Sequence, residues 1–174
     1  MIKTERMILR PVEPGDAAQL FACRSDREAN KYQGWIPDSV AEVEEFIARN
    51  PAEFDMPGTW FQLALTAKDS GDLIGDAGIH FIDARQCEIG ITLAAGYKGK
   101  GFALEAAHAI IGFLFADLGK HRIIASLDPR NTAFLKLVER LGFRQEAHFR
   151  ESLFFKGEWV DDAVYAILKR EWPG

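Results

Sequence analysis

Between Gln86 and Leu93 the chain alternates: Cys87, Ile89, Ile91 and Leu93 fall on one side, Glu88, Gly90 and Thr92 on the other. A period of two predicts a strand with one buried face. Met7-Ile8-Leu9-Arg10 reads as a short first strand, ended by Pro11 and Pro14. Trp60 to Thr66 and Leu73 to Ile82 read as two more, joined as a hairpin by Asp69-Ser70-Gly71. The helical period appears first in Ala17, Leu20 and Phe21, after a cap at Asp16. It returns in Val40, Val43, Phe46 and Ile47, after the capping-box spacing Ser39-Val40-Ala41-Glu42. A longer helix carries Ala103, Ala106, Ala107, Ile110, Ile111, Leu114 and Leu118 at helical spacing. Phe102, Leu104, Phe113 and Phe115 make its other side apolar too, so it is expected to be buried around most of its circumference and to close at Gly119. Arg122 to Leu127 is a strand. Phe134, Leu137, Val138 and Leu141 form a helical stripe stopped by Gly142, and Lys156-Gly157 turns a closing hairpin between Phe149–Phe155 and Trp159–Leu168.

The strand at Glu88, the long helix and the strand at Ile123 together predict a right-handed parallel crossover. The earlier strands are sequential and antiparallel. The expected class is α/β: a mixed, mostly antiparallel central sheet of about seven strands with one parallel crossover and helices on both faces, in one domain over residues 1–174.

Composition narrows the partners. A net charge of −5 argues against a nucleic-acid protein, whose footprint is basic. Cys23 and Cys87 have no metal-ligand or disulfide spacing, so neither a metal site nor a disulfide is expected. No apolar run approaches the roughly 18 residues that span a bilayer, and Met1–Arg6 lacks the apolar core of a signal peptide. A cytoplasmic protein with no membrane partner is the default.

The chemistry concentrates in Tyr97-Lys98-Gly99-Lys100-Gly101-Phe102-Ala103-Leu104-Glu105-Ala106, where a strand passes through a glycine-rich turn into the long helix. Such a turn leaves backbone N–H groups pointing outward at the positive end of a helix dipole, which suits a pyrophosphate. Gly-x-Gly alone also fits a plain turn. A dinucleotide-binding fold would need this loop after the first strand, with an acidic residue about 20 residues on; here it follows the fourth strand.

With these pieces in order, the chain resembles the GNAT superfamily of acyl-CoA-dependent N-acetyltransferases. Lys98-Gly99-Lys100-Gly101-Phe102-Ala103 is similar to its pyrophosphate motif, with Lys98 in place of the usual Gln or Arg. The resemblance extends to the branch containing the ribosomal-protein N-terminal acetyltransferases. It rests there on Thr4–Arg10, Glu88-Ile89-Gly90, Asp128-Pro129-Arg130-Asn131, Leu141-Gly142-Phe143, Gly157–Asp162 and Glu171-Trp172, and it covers nearly the whole chain.

What the resemblance implies is specific. Acetyl-CoA would enter a V-shaped opening between the Glu88 and Ile123 strands. Its pantetheine amides would pair with the backbone at Ile91, Thr92 and Leu93, and its pyrophosphate would rest on Lys98, Gly99, Lys100, Gly101, Phe102 and Ala103. Asn131 would contact the arm, although a helix N-cap explains it equally. The acceptor would be a primary amine, on a protein N-terminus or a small molecule. It would be walled by Tyr32–Pro37 and Phe155–Trp159, with Trp35 and Trp159 as apolar walls and Glu151, Asp161 and Asp162 attracting the cation, although core packing or solvation explains the same residues equally.

Glu88 is the candidate base; an ordinary solvent-facing or ion-paired strand glutamate is the competing reading. His80 is a lesser candidate, and His108 reads as a packing residue. Phe134 stands where that branch usually has a serine placed to protonate the thiolate. Phe cannot donate, so Tyr97, Tyr165 or water is left for that task. A non-catalytic CoA sensor and a nucleotide-binding protein are the other classes, and a homodimer is open.

Overall fold

The computed structural model describes residues 1–174. The alternation at 86–93 forms β5 (Gln86–Leu93), a middle strand of one continuous sheet. Before it come β1 (Ile2–Lys3), β2 (Met7–Pro11), β3 (Thr59–Ala67) and β4 (Leu73–Phe81); after it β6 (Arg122–Leu127), β7 (Arg144–Phe155) and β8 (Glu158–Leu168). The spatial order is β1-β2-β3-β4-β5-β6-β8-β7. Every pairing is antiparallel except β5 with β6. The sheet has eight strands rather than about seven, because Ile2–Lys3 pairs with Ile8 and Leu9. Two residues are too short for alternation to announce a strand.

Four helices cover the sheet: α1 (Ala17–Arg24), α2 (Val40–Ala48), α3 (Phe102–Ala116) and α4 (Thr132–Arg140). None is long and apolar enough to cross a membrane. Side chains of β2 to β6 and β8, including Leu9, Phe61, Ile79, Cys87, Ile89, Ile123 and Ile167, pack with Ile110 and Leu114 of α3 to form the main core. A smaller core under α1 and α2 joins Leu20, Val43 and Ile47 to Ala64 and Leu73. Burial of the two thiols pushes Cys23 up to about 11 and Cys87 up to about 12, so both behave as small apolar residues.

Several local expectations need correcting. Asp16 does not cap α1. A single 3₁₀ turn precedes the helix, and the Asp16 carboxylate turns back to accept two bonds from Arg10 (both 2.7 Å) and one from the Glu13 N–H (2.8 Å). Ser39 does cap α2 through the Glu42 N–H, but the Glu42 carboxylate accepts from Asp38 N–H at 3.0 Å, one residue early for a capping box. His108 is exposed and lies against the Trp172 ring, 4.8 Å between centroids. α3 is buried along one broad stripe only, Ala106 to Phe115. Thr92 lies on the open face of β5 by alternation, yet it is 2 % exposed, because Gln33 folds over it and accepts its hydroxyl at 3.0 Å.

Candidate active site

β5 and β6 hydrogen-bond through three registers only: Gln86 with Arg122, Cys87 with Ile123 and Glu88 with Ile124. β5 then continues to Leu93, still paired to β4 on its other edge, and β6 continues to Leu127. Beyond Glu88 the two strands part. The β5 edge from Ile89 to Leu93 therefore faces no strand on that side, and buried backbone groups require partners. An extended ligand carrying amides fits there as a strand would. Ile91 and Leu93 turn their N–H and C=O to that edge; Thr92, expected there too, has its backbone turned to β4, in step with the Ala94 N–H bond to Ile74 C=O (2.9 Å).

At the end of β5 a short turn leads through Lys98–Gly101 into α3. Gly99 (φ +74) and Gly101 (φ +85) take the left-handed conformation, and Gly101 is the N-cap residue of the helix. The N–H groups of Gly99, Lys100, Gly101, Phe102, Ala103 and Leu104 have no acceptor within the chain. Six consecutive donors at a helix N-terminus form an anion cradle. A Cβ at Gly99 would meet nothing within 4 Å, and one at Gly101 would meet only Arg6 Nη2, at 3.3 Å.

Lys98 sits differently from the expectation. Its N–H goes to Ala95 C=O at 3.3 Å, and its ammonium is bonded to Ala29 C=O in the loop after α1. Partial burial lowers its pKa. Lys98 thus ties the cradle to the α1–α2 loop, while Lys100 keeps its ammonium near the Tyr97 ring, 5.9 Å from the centroid.

Arg6 is the residue that sequence reasoning missed. Its guanidinium donates to Glu105 (2.6 Å) and to Lys100 C=O (3.0 Å), and lies 4.1 Å from the Phe102 centroid. Burial alone would raise the Glu105 pKa; bonds from Thr4 and Arg6 hold it below the ordinary value. Arg6 thereby fastens β2 to the first turn of α3 and pulls a carbonyl away from the cradle. A groove of about 880 Å³ begins at Arg6 and Gly101 and follows the outer side of α3 to Trp172. It lies on the opposite face of the sheet from Glu88.

Pairing registers order the α1–α2 face into rows across β3, β4 and β5. Ala64, Asp76 and Thr92 form the covered row, where Arg24 of α1 makes a double bond pair to Asp76 (2.9 and 2.6 Å). Gln62, Gly78 and Gly90 form the next. Trp60, His80 and Glu88 form the outermost, with Ile124 of β6 alongside Glu88. The Trp60 and His80 rings stack at 4.9 Å, and His80 Nδ1 stands 3.6 Å from Glu88 Oε2. Burial raises the Glu88 pKa, His80 lowers it in part, and the charge of Asp162 adds to the rise. Ser126 on β6 donates to Asp162 Oδ1 at 2.5 Å, completing a polar rim beside Glu88.

The expected walls meet over this face. Lys156 of the β7–β8 hairpin donates to Lys31 C=O at 2.8 Å. Arg130 bridges Asp128 (2.6 Å) and Glu158 (3.0 Å) and lies 6.0 Å from the Tyr32 ring centroid. Trp35 is half-buried and stacked on Phe46 at 4.5 Å, which makes it part of the scaffold. Trp159 is 61 % exposed, against Phe154. Asp161 accepts from the Glu151 N–H (2.8 Å) and pairs with His148 (2.6 Å), so its charge is already engaged.

Asn131 is the N-cap of α4: its Oδ1 accepts from Phe134 N–H at 3.2 Å. Phe134 packs against the main core. Tyr165 is buried on the α3–α4 side and donates its hydroxyl to Gln145 at 3.3 Å, away from Glu88, which removes it as a proton donor.

The model of the acetyltransferase (GNAT) domain matches residues 6–144. The chain is 32 % identical over 173 residues to the uncharacterized N-acetyltransferase p20 of Bacillus licheniformis, covering 98 % of this chain and 97 % of that protein. It is 30 % identical over 182 residues to the [ribosomal protein uS5]-alanine N-acetyltransferase of Escherichia coli, covering 99 % and 93 %. A crystal structure of a GNAT-family acetyltransferase from Bacillus anthracis superposes with a TM-score of 0.88 at 29 % identity, over 98 % of this chain and 99 % of that one. The split sheet, the glycine cradle and these full-length matches agree: the chain belongs to the GNAT acetyltransferase family and is an acetyl-CoA-dependent N-acetyltransferase.

Proposed function

We propose that the acceptor is the α-amino group of a peptide or protein N-terminus, with Glu88 as the base that receives its proton. The observation that carries this reading is the position of Glu88. It stands at the last paired register of β5 and β6, half-buried, on the sheet face that the acceptor walls enclose. Its raised pKa brings it closer to the operating range of a general base. About a tenth of an α-amine with a pKa near 8 is neutral at pH 7, against about 0.04 % of a lysine amine. One modestly perturbed carboxylate suffices for the first and is poorly matched to the second.

In this scheme the pantetheine amides pair with Ile91 and Leu93, whose backbone groups face the free edge while those of Thr92 face β4, and the pyrophosphate rests on N–H groups from Gly99 to Ala103. Lys98 and Asn131 act through the loops they hold. The neutral amine attacks the thioester carbon, the new C–N bond forms and the C–S bond breaks. The amine proton passes to Glu88, directly or through one water. A backbone N–H on the free edge of β5 polarises the carbonyl. The thiolate, with a pKa of roughly 8–9 by analogy with cysteine, leaves without a dedicated acid, consistent with Phe134 in the usual donor position.

Release of free thiol from acetyl-CoA tests the acceptor. Peptides with a free N-terminus are expected to turn over at least ten times faster than the same peptides Nα-blocked with a free lysine. The reverse order would overturn the α-amine assignment.

A further inference from the structure

Gln62 is a buried polar side chain that the scheme above leaves unused. It lies at the middle of β3, 9 % exposed. Its backbone is fully engaged: the N–H donates to Asn50 Oδ1 (2.7 Å), and the C=O accepts from Val12 N–H (3.2 Å) and Asn50 Nδ2 (3.4 Å). Its carboxamide makes no such bond, and Oε1 is enclosed without a partner. A buried polar group left unpaired forfeits the hydrogen bonds it made to water in the unfolded chain. Sites that bear such a cost are where a ligand completes the bonding.

The surroundings point to where that ligand lies. The carboxamide rests flat across β4 at Gly78. A Cβ there would stand 3.0 Å from Nε2, 3.1 Å from Oε1 and 3.1 Å from Cζ3 of Trp60. Glycine at 78 is what lets both side chains cross the strand. The next residue in the row is Gly90, where a Cβ would meet nothing within 4 Å. A floor of two glycines therefore runs from the carboxamide to the free edge of β5. Adjacent strands are spaced about 4.8 Å apart, so the carboxamide over β4 stands one strand spacing from β5 and about two from a ligand seated on the free edge of β5. Rotation about its terminal torsion presents either the nitrogen or the oxygen to that space.

We propose that Gln62 reads the backbone of the acceptor's second residue: Oε1 accepts the first peptide N–H, and Nε2 donates to the carbonyl of that same residue. This rests on the α-amine reading and deepens it. In an extended chain the N–H and C=O of one residue point to the same side, so one carboxamide satisfies a donor and an acceptor at once. A simple alkyl diamine offers no carbonyl and leaves Nε2 unpaired, and a site built around a hydrogen bond discriminates strongly against a molecule that lacks it. Gln62 is a specificity residue and takes no part in the proton transfer.

The test compares a peptide having a free N-terminus with its depsipeptide, in which the first peptide N–H is replaced by an ester oxygen. For the wild-type enzyme kcat/KM is expected to fall about tenfold on that replacement. In Gln62→Met the ratio collapses to about one, while CoA affinity by calorimetry is unchanged; in Gln62→Glu, which keeps an acceptor oxygen, a preference for the peptide persists. Binding of the peptide to the CoA-loaded protein by calorimetry is expected to follow the same pattern without turnover. A wild-type ratio near one, or the same ratio in wild type and Gln62→Met, overturns the role of Gln62, and the first needs no variant to fold. Failure of the wild type to acetylate any free N-terminus overturns the α-amine reading instead.

Discussion

Glu88 shows how a single carboxylate acquires chemistry from its neighbours. Alternation in β5 put it on the open side, and register with β4 put it beside His80, 3.6 Å away and stacked in turn on Trp60. The cross-strand partner was not legible, because pairing between strands depends on register, which no local pattern states. The folded state holds the Glu88 proton to higher pH than the unfolded chain does, since burial disfavours the charge. Its ionisation therefore costs stability as pH rises through and above the ordinary carboxylate range. Glu88→Gln is expected to melt higher than wild type at pH 7 and to lose that advantage toward pH 4, as measured by thermal denaturation across the range. It should also lower kcat/KM by roughly 10²- to 10⁴-fold and abolish the acid limb of the pH–rate profile. An unchanged profile would remove Glu88 from the reaction. Gln62 and Arg6 escaped the sequence for the same reason: each matters through a contact remote along the chain, with Gly78 and with Glu105.

Among the elements, the passage from β5 into α3 does the most. Its glycines, its place after the fourth principal strand and the apolar period of the helix were all readable, because each is a local pattern. What the local pattern could not supply was the outcome for Lys98. Its ammonium reaches the α1–α2 loop and fixes the rim of the acceptor face, a tertiary bond that charge counting assigns to the ligand. Gly101→Glu places a carboxylate in the proposed anion cradle and a side chain at φ +85, a conformation costing about 1–2 kcal/mol. The only close contact of the new Cβ is the end of the Arg6 side chain, which can move. The variant is expected to stay folded by circular dichroism and to lose CoA binding by at least 100-fold in calorimetry. Affinity within threefold of wild type would refute the cradle.

At the scale of the whole molecule, the decisive feature is that one sheet is both continuous and split. Antiparallel pairing runs unbroken from β1 to β5 and again through β6, β8 and β7, while the single parallel pair closes over only three registers. The crossover itself was legible from strand, helix and strand, and so was the mixed class of the sheet. The length of the split was not, since how many registers two strands share is a tertiary matter that no local pattern states. In the proposed scheme the split offers the thioester a strand edge, the helix terminus offers its phosphates donors, and the side chains on the α1–α2 face of the sheet line the acceptor. The most direct measurement is an amide chemical-shift titration of the ¹⁵N-labelled protein with CoA. Cradle binding predicts that the largest changes fall on Gly99 to Leu104, with a second group on Ile89 to Leu93. Saturable binding that leaves both sets unmoved, and shifts other residues alone, would contradict it.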